Sequence, residues 1–174
     1  MTVIAVRKYE NKIVMAADSQ TTWGDNNKTL GYTKIVQQNT LTAGCAGNAL
    51  DASLFEMFIR THLPKGATKD DIIDFLSEFV DWKNKKTGNP KYVGQIILVI
   101  DDVIFNIFEY AIYSVVTEFS AIGSGMFAAL GAMELGVDPK KAAEIAIKYD
   151  AYCGGEVQCV EIPLKNKSKK NAIK

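Results

Sequence analysis

Histidine is nearly absent from this chain of 174 residues, His62 being the single example. Cysteine is scarce as well: Cys45, Cys153 and Cys159 are scattered, odd in number and form no Cys-x-x-Cys pair. No ligand set is spaced for zinc, so no metal site is expected. Reduced thiols of a cytosolic protein are the simplest account of the three cysteines, with Cys45 and Cys159 expected to pack in the core. An excess of either charge is also lacking, with 20 Lys+Arg against 20 Asp+Glu. Nothing long-range then draws the chain to nucleic acid or to an anionic membrane, and no net charge opposes self-association. Long hydrophobic runs are missing too. Asp, Glu or Asn interrupts each one well short of the roughly 18 residues that a membrane helix needs, and the apolar start Met1–Arg7 is too short for a signal peptide. Neither GxxxxGK[ST] nor a GxGxxG after the first strand occurs, and no cofactor is expected.

What is present suits one domain with a sizeable core, since 48% of the residues are hydrophobic. We expect this domain over 1–164 and a basic, flexible tail over 165–174, where Lys165, Lys167, Lys169 and Lys170 cluster. Thr2–Lys8 and Lys12–Asp18 read as strands flanking the turn Tyr9-Glu10-Asn11, and their nearly continuous hydrophobicity fits strands buried on both faces. A polar loop with Gly24, Asp25, Asn26 and Asn27 follows, then a second hairpin, Lys34–Gln38 and Thr40–Ala46. Asn48 is placed to cap a helix reaching about His62, with Leu50, Leu54, Met57 and Phe58 at helical spacing. Thr68 starts another, with Asp70 and Asp71 in its first turn and Ile72, Ile73, Phe75, Leu76 and Phe79 on its buried face.

Tyr92–Ile100, Val103–Tyr110 and Ala111–Phe119 read as three strands. Gly123-Ser124-Gly125 leads into a helix near Met126–Leu135, a break at Gly136-Val137-Asp138-Pro139 precedes a helix over Lys140–Tyr149, and Glu156–Ile162 is a last strand. Two helix pairs separated by groups of strands predict an α+β fold in four layers, an αββα sandwich with helices on both outer faces. Singly alternating strands and helices, the mark of a doubly wound fold, are not seen.

Six short words stand on these elements in order: Val3-Ile4-Ala5-Val6-Arg7; Met15-Ala16-Ala17-Asp18-Ser19-Gln20; Lys34; Ala43-Gly44-Cys45-Ala46-Gly47-Asn48-Ala49-Leu50-Asp51-Ala52; Ala121-Ile122-Gly123-Ser124-Gly125; and Asp150-Ala151-Tyr152-Cys153-Gly154-Gly155. Together they resemble the proteasome β subunit/HslV family of N-terminal-nucleophile hydrolases across nearly the whole chain. The resemblance implies a threonine-type peptidase, in which an N-terminal threonine hydroxyl is the nucleophile and its own α-amine the base. It assigns the nucleophile to Thr2, a buried ion pair to Asp18 and Lys34, an oxyanion-binding N–H to Gly44, and support of the terminal amine to Ser124 and Asp150. Cys153 stands where proteasome subunits usually carry Ser.

Two alignments of the first strand are open. Strand register, with the extra residue absorbed in Tyr9-Glu10-Asn11, puts Met1 in the nucleophile position, and a one-residue slip would turn every side chain over. The 16-residue spacing from Thr2 to Asp18 puts Thr2 there instead. The resemblance therefore implies either a peptidase that hydrolyses unfolded polypeptide inside a homo-oligomeric ring, served by a separate ATPase unfoldase, or a catalytically silent subunit such as a phage virion or tail component. A cytoplasmic location is expected for the first, a virion for the second. An amidase acting on small molecules fits less well, since such enzymes usually expose N-terminal Cys or Ser.

Overall fold

A computed structural model describes residues 1–23 and 27–165. Gly24–Asn26 of the expected loop, and the basic tail beyond Lys165, lie outside the described residues. Strand β1 (Ile4–Lys8) turns at Tyr9-Glu10-Asn11 into β2 (Lys12–Ala17), and the two pair from Ile4↔Ala17 to Lys8↔Ile13 in one register without a bulge. A short hairpin, β3 (Thr21–Trp23) and β4 (Asn27–Thr29), stands in the region read as loop. Mostly polar residues and a length of three each hid it from any hydrophobic pattern.

Next come β5 (Ile35–Gln38), β6 (Leu41–Gly47), helix α1 (Ala49–Ile59) and helix α2 (Lys69–Thr87). Asn48 caps α1 as expected, its Oδ1 accepting from Leu50 N–H at 2.9 Å and Asp51 N–H at 3.3 Å. Thr68 and Asp71 close a reciprocal capping box on α2. The inner face of α2 is the expected one apart from Ile73, whereas that of α1 keeps Leu54 and Phe58 but is rotated away from Leu50 and Met57. Phe55, Phe58 and Ile59 are buried in α1, whereas Leu50 and Met57 are exposed; in α2, Ile73 is exposed while Ile72, Phe75, Leu76 and Phe79 are buried. Apolar residues nearly encircle α1, so periodicity alone could not choose its inner side.

Strands β7 (Gly94–Ile100), β8 (Val103–Phe108) and β9 (Ala111–Val116) complete a five-stranded sheet in the order β5-β6-β7-β8-β9. The segment read as one strand to Phe119 is two. The chain bends at Thr117-Glu118, and β10 (Phe119–Ile122) crosses to the other sheet beside β1, anchored where Lys8 N–H donates to Glu118 O at 2.8 Å. Helices α3 (Met126–Glu134) and α4 (Pro139–Tyr149) precede the last strand, β11 (Gln158–Pro163), which lies against β2. The second sheet is therefore β10-β1-β2-β11. Cys45 is buried as expected, whereas Cys159 is exposed on β11.

Strand alternation builds the four layers. Ile4 and Val6 of β1 join Met15, Ile97, Val99 and Ile104 between the sheets. Val3 and Ala5 face the other way, onto Ala129, Ala132, Ala142, Ala143 and Ala146 of α3 and α4. The third core packs Phe55, Phe58, Phe75 and Phe79 over Leu98 and Phe105, with the Phe55 and Phe79 rings edge to face at 5.1 Å. No helix among the described residues is long and apolar enough to cross a membrane. Phe58→Ala should lower the unfolding free energy by about 3–5 kcal/mol, while Leu50→Ala and Met57→Ala should each stay within about 0.5 kcal/mol, as read from denaturant midpoints.

Candidate active site

Asp18 follows β2 directly and its side chain is 0% exposed. Its Oδ1 accepts from Lys34 Nζ at 2.8 Å and from Val3 N–H at 2.9 Å; its Oδ2 accepts from Gly154 N–H at 3.0 Å and Gln20 N–H at 3.2 Å. Four donors from four parts of the chain compensate a carboxylate that would otherwise be costly to bury. Lys34, one residue ahead of β5, is likewise buried and also donates to the Met1 carbonyl at 3.1 Å. Burial holds its amine below the ordinary lysine range, and attraction to Asp18 only partly offsets this.

Thr2 is buried, and both peptide units around it are held. The one before it, through Met1 O, meets Lys34; the one after it, through Thr2 O, accepts from Gly125 N–H at 3.2 Å and from the Ser124 hydroxyl at 3.5 Å. Gly123, at φ +89°, abuts that same carbonyl, where a Cβ would collide with it. Asp150 ends α4, with Oδ1 accepting from Tyr152 N–H at 2.9 Å and Oδ2 facing Cys153 Sγ at 3.4 Å. Partial burial works to raise its carboxyl, but hydrogen bonds from Ser124, Tyr152 N–H and Cys153, with the Met1 α-ammonium nearby, together hold it below the usual range. The Cys153 thiol is pushed up to about 12 by burial and by the charges of Asp18 and Asp150. It is a neutral donor at physiological pH, not a thiolate.

Gly44 does not belong to this group. It lies within β6, paired to Ile35 on one side and Ile97 on the other, and a Cβ there would meet Ile4 Cγ2 at 2.8 Å. Its missing side chain makes room for the core between the sheets. Gly47, at φ +123°, ends β6 immediately before the Asn48 cap and lines the two cavities that flank Thr2. One, of about 370 Å³, also contains Lys34, Cys45 and Ala49; the other, of about 360 Å³, contains Gln95, Gly123 and Ser124. A glycine directly ahead of a capping Asn was the available signal, since the chain turns there with its N–H groups beside the positive end of a helix.

No family model and no curated protein matches the sequence. Solved structures do. BPH from Thiobacillus denitrificans in complex with epoxomicin superposes with a TM-score of 0.83 at 18% identity, covering 94% of this chain and 99% of that one. The same BPH alone gives 0.80 at 19% identity, again over 94% and 99%. Eukaryotic HslV from Trypanosoma brucei gives 0.69 at 20% identity, over 92% of this chain and 99% of its own. The chain has the HslV fold. Its class is α+β, as the order of elements predicted. At one end of this HslV-type sandwich, Thr2, Asp18, Lys34, Ser124 and Asp150 converge, each delivered by a different segment.

Replacing Lys34 with Ala leaves Asp18 buried without its cation. The unfolding free energy should fall by about 3–5 kcal/mol, and adding Asp18→Asn should return part of the loss. A thermal or urea midpoint unchanged by Lys34→Ala would contradict the buried pair.

Proposed function

We propose that the chain is a threonine-type peptidase subunit that hydrolyses unfolded polypeptide inside a homo-oligomeric ring, with Thr2 as its nucleophile once the Met1–Thr2 bond is broken. One observation carries the reading: the peptide units on both sides of Thr2 are bound by the residues expected to serve it. Lys34 holds the carbonyl that precedes Thr2, and Gly125 and Ser124 hold the carbonyl that follows. Breaking the first peptide bond leaves the Thr2 α-amine at that end of the cleft. A free α-amine ordinarily titrates at about pH 8, and the neighbouring Lys34 ammonium shifts it downward by like-charge repulsion, which makes it a useful base near neutrality.

In this reading the Thr2 hydroxyl passes its proton to that amine as Oγ attacks the substrate carbonyl carbon. An ester forms, the C–N bond breaks and the amine proton goes to the leaving nitrogen; water then hydrolyses the ester and restores Thr2. The buried ammonium of Lys34, oriented by Asp18, favours loss of the hydroxyl proton. Ser124 and Asp150 orient the amine. The developing oxyanion is received by the Gly47 backbone N–H in place of Gly44, a type of donor whose loss costs about 100–1000-fold in rate. No step needs a cofactor or a metal. Energy for unfolding substrates comes from a separate ATPase, since the chain carries no P-loop. The compartment is the cytoplasm.

A second reading, a catalytically silent subunit such as a virion component, draws on the unbroken β1–β2 register. That ladder carries no bulge to bring Thr2 forward, and the register argument assigns the nucleophile position to Met1. Intact mass and labelling decide between the two. Protein lacking Met1 should cleave short fluorogenic peptides and be labelled at Thr2 by an epoxyketone, which requires hydroxyl and free amine on one residue. Thr2→Ala should abolish labelling and leave assembly unchanged. Neither turnover nor labelling from protein shown to lack Met1 would establish the silent reading. Sedimentation should also find a multi-subunit species, and a clean monomer at micromolar concentration would exclude the ring.

A further inference from the structure

Lys34 reaches Asp18 and Met1 from a backbone that stands just outside regular structure. Its strand, β5, is an edge of the five-stranded sheet and begins only at Ile35. From one side the Lys34 carbonyl accepts from Cys45 N–H of β6 at 3.2 Å. The Lys34 N–H turns elsewhere and donates to Gln158 Oε1 at 2.9 Å, while Gln158 Nε2 donates to Tyr32 O at 2.6 Å. Gln158 opens β11 and sits opposite Ala17, the residue before Asp18, so it rises from the sheet that carries the carboxylate.

The pattern is that of a parallel β-bridge. In a parallel ladder, one residue of the neighbouring strand accepts from the N–H of residue i+1 and donates to the carbonyl of residue i−1. Here the carboxamide of Gln158 does both around Thr33. A side chain thereby supplies the partner that an edge segment lacks, and ties the Lys34 backbone to the opposite sheet. Glutamine suits the task because its planar amide offers one acceptor and a donor side by side. A carboxylate would set an oxygen against the Tyr32 carbonyl, and an apolar side chain would leave both backbone groups unpaired.

We infer that Gln158 is a positioning residue for the proposed peptidase: it fixes the backbone of Lys34, and so sets where the Lys34 ammonium stands relative to Asp18 and Thr2. It touches neither substrate nor reacting atoms, and the inference rests on the peptidase reading for its effect on rate. Lys34 side-chain geometry, in contrast, is testable without activity.

The experiment compares wild type with Gln158→Met, which keeps length and loses both hydrogen bonds, and Gln158→Glu, which keeps only the acceptor. The expected result for Gln158→Met is a kcat on a fluorogenic peptide lower by about 10- to 100-fold, with KM within about twofold, as a misplaced catalytic group gives. Gln158→Glu should fall between Gln158→Met and wild type. In parallel, ¹⁵N-lysine NMR, with the Lys34 signal assigned through Lys34→Arg, should show its titration moving up toward the ordinary lysine value in Gln158→Met. Wild-type kcat and an unmoved Lys34 titration in Gln158→Met would overturn the inference. Should wild type with a free Thr2 prove inactive, the peptidase reading falls by itself, and the Lys34 titration alone decides for or against Gln158. Should Gln158→Met fail to fold, Gln158→Glu decides by the same two readouts.

Discussion

A carboxylate with no solvent exposure is stable only if its whole surroundings are organised for it, and Asp18 imposes that condition on this fold. Its partners come from the residue before β1, the segment after β2, the residue before β5 and the turn after α4. Remove any one of these segments and a charge remains in the interior with a donor missing, at a cost of several kcal/mol. The pair it forms with Lys34 is thus a consequence of the complete sandwich, as well as the feature around which the candidate site is assembled. Lys34 remains below its ordinary proton affinity despite this partner, because burial outweighs one attractive charge.

A second buried pair organises the other side of the cleft. Lys83, from the C-terminal half of α2, meets Asp51 Oδ1 at 3.0 Å and donates to the carbonyls of Asn89 and Lys91. The other oxygen of Asp51 accepts from Val93 N–H at 2.9 Å. These contacts bring the loop after α2 down onto α1 and seat Val93 and Gly94 against Gly47, where a Cβ would lie 2.7 Å from Gly94 Cα. Glycine is required at that crossing by space as well as by its φ of +123°. The two ion pairs therefore fix the two walls of the cleft independently: Asp18 with Lys34 on one, Asp51 with Lys83 behind the other.

Much of this was legible in the residues. Strand runs apolar on both faces, the caps Asn48 and Thr68, and the break at Gly136-Val137-Asp138-Pro139 are local signals, and the elements they predict are present. Five of six expected site residues meet. The sixth, Gly44, lies within β6 while Gly47 lines the cleft; two glycines stand three apart on one strand, and sequence does not say which of them borders a cavity. Lys83 escaped notice for a different reason: a lysine on an otherwise amphipathic helix looks like surface until a partner from another helix is brought to it. Gln158 was equally invisible, since its role is to replace a strand that is not there.

The sequence by itself determined the helices, the main strands and their order, and hence the α+β architecture, because caps, breakers and hydrophobic period act over a few residues; the β3–β4 hairpin and the division of β9 from β10 it did not. It also supplied the chemical types needed near Thr2. Only the tertiary structure decided which face of α1 turns inward, where the chain crosses between sheets at Thr117-Glu118, and which glycine borders the cleft. Those choices depend on contacts between segments far apart in the chain. Asp18 and Gly154 are 136 residues apart, and no local preference encodes a hydrogen bond between them.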